Sequence, residues 1–164
     1  MPRVDRSDRG FTLLEMLVTL SIAGIMAGIA GMSMARYASN AAHRGTRDEV
    51  VSLLRTTAEQ ALSEGRTYCV SFSTTGWTTY RYACSGPTAV QVGSANSPIA
   101  ADEQLTPSFT PTAGLVTDCP GALSSCAYFY PRGNASAGTV TVTRAGKSDY
   151  VVEVKGLTSR VFAQ

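Results

Sequence analysis

Few side chains in this chain could do chemistry, and one of them sits where a charge is costly. Glu15 is the sole charged residue in the apolar and small-residue run 11–35. Such a run is long enough to cross a bilayer, because about 20 residues at ~1.5 Å rise span the hydrocarbon core. A carboxylate within it costs roughly 2.5–3.5 kcal/mol on the insertion scale, so Glu15 needs a compensating partner. Elsewhere the inventory is thin. His43 is the single histidine, no Ser/His/Asp or Cys/His arrangement accompanies it, and no glycine-rich phosphate loop is present. An enzyme has no obvious parts here. Asp102 and Glu103 are adjacent acids in a polar stretch and read as solvated. Cys69, Cys84, Cys119 and Cys126 could form disulfides or hold a soft metal, but none of their spacings is of the C-x₂-C kind that marks zinc.

The elements that position these residues follow from periodicity. Beyond residue 35, Val50, Val51, Leu54, Ala58, Ala61 and Leu62 recur at three- and four-residue steps, giving one apolar stripe, and Gly65 fits a helix stop. One helix from about Phe11 to about Glu64 is therefore expected, its first half (11–35) membrane-spanning and its second (36–65) amphipathic. Gly24, Gly28, Gly31 and Ala35 place small residues on one face, which lets helices approach closely. After Gly65 the period becomes two. Tyr68, Val70 and Phe72 share a face, 77–84 is rich in Thr and Tyr, and 139–143 and 150–154 alternate. The expected fold is α+β: the long helix packed on an antiparallel sheet head at 66–164. Residues 86–114 hold four of the seven prolines and read as a long irregular loop, either variable or partner-contacting.

The N-terminus carries a more specific pattern. Gly10 precedes Phe11-Thr12-Leu13-Leu14-Glu15 and the apolar run, and this resembles the type IV pilin and type II secretion pseudopilin superfamily. The resemblance implies a leader at 1–10, cut after Gly10 by a prepilin peptidase that also methylates the new terminal nitrogen of Phe11. It further implies that Glu15 pairs with the terminal amine of a neighbouring subunit. An ordinary secretory signal fits less well, since its apolar core is shorter. Arg3, Arg6 and Arg9 outnumber Asp5 and Asp8 before the run, which favours a cytoplasmic N-terminus, although Arg36, Arg44 and Arg47 follow on the far side.

With the remainder of the chain on the oxidising side, disulfides are expected. Three pairings are possible. The local ones, Cys69 with Cys84 across a hairpin at Thr74-Thr75-Gly76 and Cys119 with Cys126 around a turn-rich loop, fit the sequence best, each worth ~2–4 kcal/mol. No metal or cofactor is expected.

Further along, Phe129-Tyr130-Pro131-Arg132-Gly133, Gly138-Thr139-Val140-Thr141-Val142 and Tyr150-Val151-Val152-Glu153-Val154 look like the H-type minor pseudopilins and the related FimT-type minor pilins. That resemblance implies a structural subunit whose partners are other pilins or pseudopilins, the assembly platform with its ATPase, and membrane lipid. Some FimT-type pilins bind DNA through a Gly-Arg-x-Arg motif, where this chain has Gly156-Leu157-Thr158-Ser159-Arg160. The calcium site of major pseudopilins is not carried over either, because Asp149 is isolated. A DNA-uptake role is the alternative. It would need a phosphate-binding patch from Arg132, Arg144, Lys147, Lys155 and Arg160, within a C-terminal stretch (127–164) of five bases and two acids.

Overall fold

A computed structural model describes residues 12–110 and 118–164, with backbone alone for 31–33, 35, 36 and 94–96. The chain divides into two compact units, Met1–Ala41 and Ala42–Gln164. Helix α1, Leu13–Glu64, supplies the described part of the first unit and the opening of the second. Its stop is the expected one. Gly65 takes φ +63°, and the Arg66 N–H donates to Ala61 O at 3.2 Å, a Schellman closure that satisfies a carbonyl orphaned at the helix end.

The second unit holds eight strands: β1 Tyr68–Ser73, β2 Gly76–Arg81, β3 Val90–Pro98, β4 Glu103–Thr110, β5 Cys126–Phe129, β6 Ala137–Arg144, β7 Tyr150–Val154 and β8 Val161–Ala163. They form two four-stranded antiparallel sheets, β3-β2-β1-β5 and β4-β6-β7-β8, where the sequence suggested one. Leu54 and Val50 of α1 enter a core with Tyr68, Val70, Phe72 and Trp77 of the first sheet and Leu105, Val140 and Val152 of the second. The expected helical stripe and β1 face are thus both core, with one exception: Leu62 is half exposed. The β1–β2 hairpin tip ties the sheets together, since Thr74 O accepts from Leu105 N–H and Thr75 O from Ile99 N–H, both at 3.1 Å.

Within 86–110 the expected irregular loop is instead two strands, β3 and β4, while residues 111–114 of that expectation lie outside the described residues. Both are edge strands. An edge strand needs only one apolar face and tolerates proline. In β4, Glu103, Leu105 and Phe109 turn inward while Gln104, Thr106 and Ser108 stay exposed, and Pro107 sits mid-strand opposite Val140. Polar and proline content therefore imitated a loop.

The opposite face of the first sheet carries a second, smaller core. Tyr80 and Tyr128 lie directly across from Cys69 on the two flanking strands, and Cys84, Cys126 and Tyr130 join them.

Candidate assembly and anchoring sites

At the start of α1, the Glu15 N–H donates to Thr12 Oγ1 at 3.2 Å. Thr12-Leu13-Leu14-Glu15 is thereby a Thr-x-x-Glu cap, in which Thr12 satisfies a free first-turn donor and Glu15 places negative charge near the positive end of the helix dipole. The capping signal was present in the sequence beside the pairing motif and was missed. Beyond it, the 18 residues Leu13–Ala30 have mean hydropathy 2.0 and are 0 % buried. A Cβ added at Gly24 or Gly28 meets nothing within 4 Å, so both leave room on the surface of the segment. Gly31 lies in α1, but its surroundings, like Gly10 and Phe11 themselves, fall outside the described residues.

In the second unit a polar cluster fastens α1 to the second sheet. Glu103 is not solvated, as its neighbourhood suggested, but fully buried. Its Oε1 lies 3.0 Å from His43 Nδ1 and 3.5 Å from Arg144 Nη1, and its Oε2 accepts from the Thr46 hydroxyl. His43 Nε2 is 3.1 Å from Ser148 O. A carbonyl only accepts, so the contact with Ser148 O is a hydrogen bond donated by Nε2–H. Arg144 also pairs with Asp102 at 2.5 Å. The Tyr150 ring lies 4.8 Å from the His43 ring, tilted at 37° to it, and the Arg47 guanidinium lies 4.9 Å from the centre of Tyr150. One turn of helix is so joined to β4, β6, β7 and the β6–β7 connection. A His–carboxylate pair can orient a catalytic base, but side-chain exposures of 3 % and 0 % leave no path for a substrate. The arrangement is an anchor. Its bonded partners lie 41 to 105 residues apart, so no local pattern could have revealed it.

Both expected disulfides are formed, Cys69–Cys84 and Cys119–Cys126. Cys84 lies beyond β2 rather than on it, so the bond ties a connection to the ladder instead of crossing the hairpin. Burial pushes the Tyr128 phenol above its usual value, against a backbone hydrogen bond at Cys84 that lowers it; the hydroxyl donates to Asp118 O.

The five basic residues do not gather. Arg144 ends β6 and is committed to Asp102 and Glu103. Lys155 follows Val154, which pairs with Gly138 at the other end of β6, about 20 Å away at ~3.3 Å per residue. Arg160 is beside Lys155, whose N–H donates to Arg160 O at 2.9 Å. Lys155 pairs with Glu153, Lys147 is half-buried just past Arg144, and Arg132 is exposed in the turn after β5.

An uncovered apolar helix carrying one acid in its first turn, continuous with an α+β unit, defines a pilin-like architecture. Comparisons with known proteins agree. Residues 5–31 match the prokaryotic N-terminal methylation motif, and residues 46–158 match the type II transport protein GspH family. The chain belongs to the GspH family and is a GspH-like pseudopilin of type II secretion. Two structures of the minor pseudopilin EpsH from the type 2 secretion system of Vibrio cholerae share the fold. One has a TM-score of 0.54 at 11 % identity, covering 74 % of this chain and 94 % of that one. The other has a TM-score of 0.55 at 11 % identity, covering 74 % and 92 %. No curated protein matches the chain by sequence.

Proposed function

We propose that this pseudopilin is a minor subunit that waits in the cytoplasmic membrane as a single-pass, helix-anchored monomer and then enters a short type II secretion filament. In this reading residues 1–10 are a leader removed after Gly10 by a prepilin peptidase, Phe11 is N-methylated, and residues 11–35 span the membrane. An assembly platform and its ATPase draw the subunit out of lipid. Glu15 then pairs with the terminal amine of a neighbour, and Gly24, Gly28 and Gly31 let adjacent helices pack closely. The carrying observation is the Leu13–Ala30 segment, in which Glu15 is the one charged residue and which no part of the described chain covers. It needs lipid or other helices around it. Catalysis has no part in the proposal.

DNA uptake is the less favoured role, because Arg144 is spent on internal acids and Lys155 stands at the far end of its sheet. N-terminal peptide mass spectrometry of the chain from native membranes tests the processing. A first residue of N-methylated Phe11 is expected. A chain still carrying residues 1–10 in cells with active prepilin peptidase contradicts it.

A further inference from the structure

The two disulfides are not independent. Three of the four sulfurs, those of Cys69, Cys84 and Cys126, lie within 4.8 Å of one another, although they belong to different bonds. All three are buried, at 0 %, 1 % and 2 % exposure. Cys119 alone is partly accessible, and its sulfur lies 3.3 Å from the Ser125 hydroxyl. A crevice of about 560 Å³ borders the same place, lined by Tyr82, Ala83, Pro87, Thr88, Val90 and Asp118; Ala83 and Asp118 are the chain neighbours of Cys84 and Cys119. Among the four cysteines, Cys119 is thus the one with exposure to an attacking thiol.

We infer that the four cysteines form a single thiol–disulfide exchange site that opens at Cys119 and takes a dithiol, either small or displayed by an oxidoreductase, as its reactant. The thiolate of the dithiol attacks Cys119 Sγ. A mixed disulfide forms there, the Cys119–Cys126 bond breaks, and its electron pair leaves on Cys126 as thiolate. That thiolate faces the Cys69–Cys84 bond within reach of exchange. It attacks one of those two sulfurs, a new bond to Cys126 forms, Cys69–Cys84 breaks, and the expelled sulfur departs as thiolate and takes up a proton. This second step consumes no oxidant or reductant. Resolution of the mixed disulfide by the second thiol of the reactant leaves Cys119 reduced and the dithiol oxidised, so two electrons have entered and one disulfide remains. Cys84 is the favoured target, because it lies outside the ladder and can move. Cys69 is fixed between Tyr80 and Tyr128 and sits diagonally from Cys126, a spacing of ~7–8 Å that is long for a disulfide.

Cys119→Ser in the purified full chain isolates the exchange step, since it leaves Cys126 as the only thiol without any added reductant. After acid quenching and peptic digestion, disulfide-linked peptides joining Cys126 to Cys84 or Cys69 are expected beside the Cys69–Cys84 peptide. Cys126→Ser, which leaves the thiol on Cys119, should retain Cys69–Cys84 alone. Finding only Cys69–Cys84 and an unpaired Cys126 in Cys119→Ser, or equal scrambling in both variants, overturns the inference. Should Cys119→Ser not fold, wild-type chain treated with one equivalent of dithiothreitol and trapped by alkylation reads the same step. Alkylated Cys119 together with alkylated Cys69 or Cys84 supports the exchange, whereas alkylation confined to Cys119 and Cys126 overturns it. Neither readout depends on filament assembly, so the outcome stands apart from the proposed function.

Discussion

Glu103 is the one fully buried acid among the described residues. Its carboxylate meets His43, Thr46 and Arg144 with no solvent share, and removing one partner of such a buried group costs ~3–5 kcal/mol because the others lose their compensation. Glu103→Ala should therefore lower the unfolding free energy of the detergent-solubilised chain by about 3 kcal/mol in denaturant titration. Asp102→Ala should cost under ~1 kcal/mol, because that carboxylate is more than half exposed and its pair is solvent-screened. Equal losses would show that Glu103 is not the anchor. Tyr128 supplies a pH dependence. Its folded pKa is raised, chiefly by burial, so the folded state keeps the proton longer than the unfolded chain does. The associated stability is present below the unfolded value of about 10 and is lost as pH rises through the folded value. Absorbance titration of the phenolate band should show a late-titrating component that Tyr128→Phe diminishes. The sequence displayed Glu103 and His43 only as an acid in a polar stretch and a lone helical histidine; their pairing exists solely through the folded contact of α1 with β4.

At the scale of elements, glycine reports which surfaces are closed. Gly138 in β6 faces Phe109 in β4, and a Cβ there would come 2.4 Å from Ser108 O and 2.6 Å from Phe109 Cα. Backbone cannot retreat cheaply, so Gly138→Ala should destabilise by roughly 1–3 kcal/mol or open the β4 edge. Gly45, mid-helix with nothing within 4 Å of an added Cβ, should instead gain ~0.5–1 kcal/mol as Gly45→Ala. Thermal unfolding of the two variants should move in opposite directions, and a shift of the same sign would contradict these roles. The same elements explain what was legible. The end of α1 at Gly65 and the β1–β2 hairpin rest on local signals, a helix-stop glycine and a period-two strand beside a short turn. β3 and β4 were hidden because edge strands keep a polar face, and the division into two sheets depends on pairings such as Glu103 with Arg144, far apart in the chain. Both disulfides were legible because their separations are 15 and 7 residues; the closeness of the two bonds to each other was not.

For the whole molecule, the apolar segment dictates where the protein can be. Leu13, Leu14, Met16, Leu17, Val18, Leu20, Ile22, Ile25, Met26 and Ile29 are all exposed. At ~1.5–3 kcal/mol for each large apolar side chain left in water, the cost is on the order of 15–30 kcal/mol. That exceeds the entire stability of a typical domain, so in the proposed assembly the segment passes from lipid to other helices without an aqueous stage. In the proposed assembly Glu15 gives the transfer a direction: its carboxylate is unfavourable in hydrocarbon and favourable beside a positive terminal amine. The central claim is that this acid draws the processed subunit from membrane into filament. Quantifying wild-type chain and Glu15→Ala in membrane and sheared-filament fractions of cells with a working secretion machine tests it most directly. The account predicts membrane insertion intact or improved in the variant, with wild type recovered in filaments and the variant retained in the membrane. Equal recovery of both in filaments would contradict it.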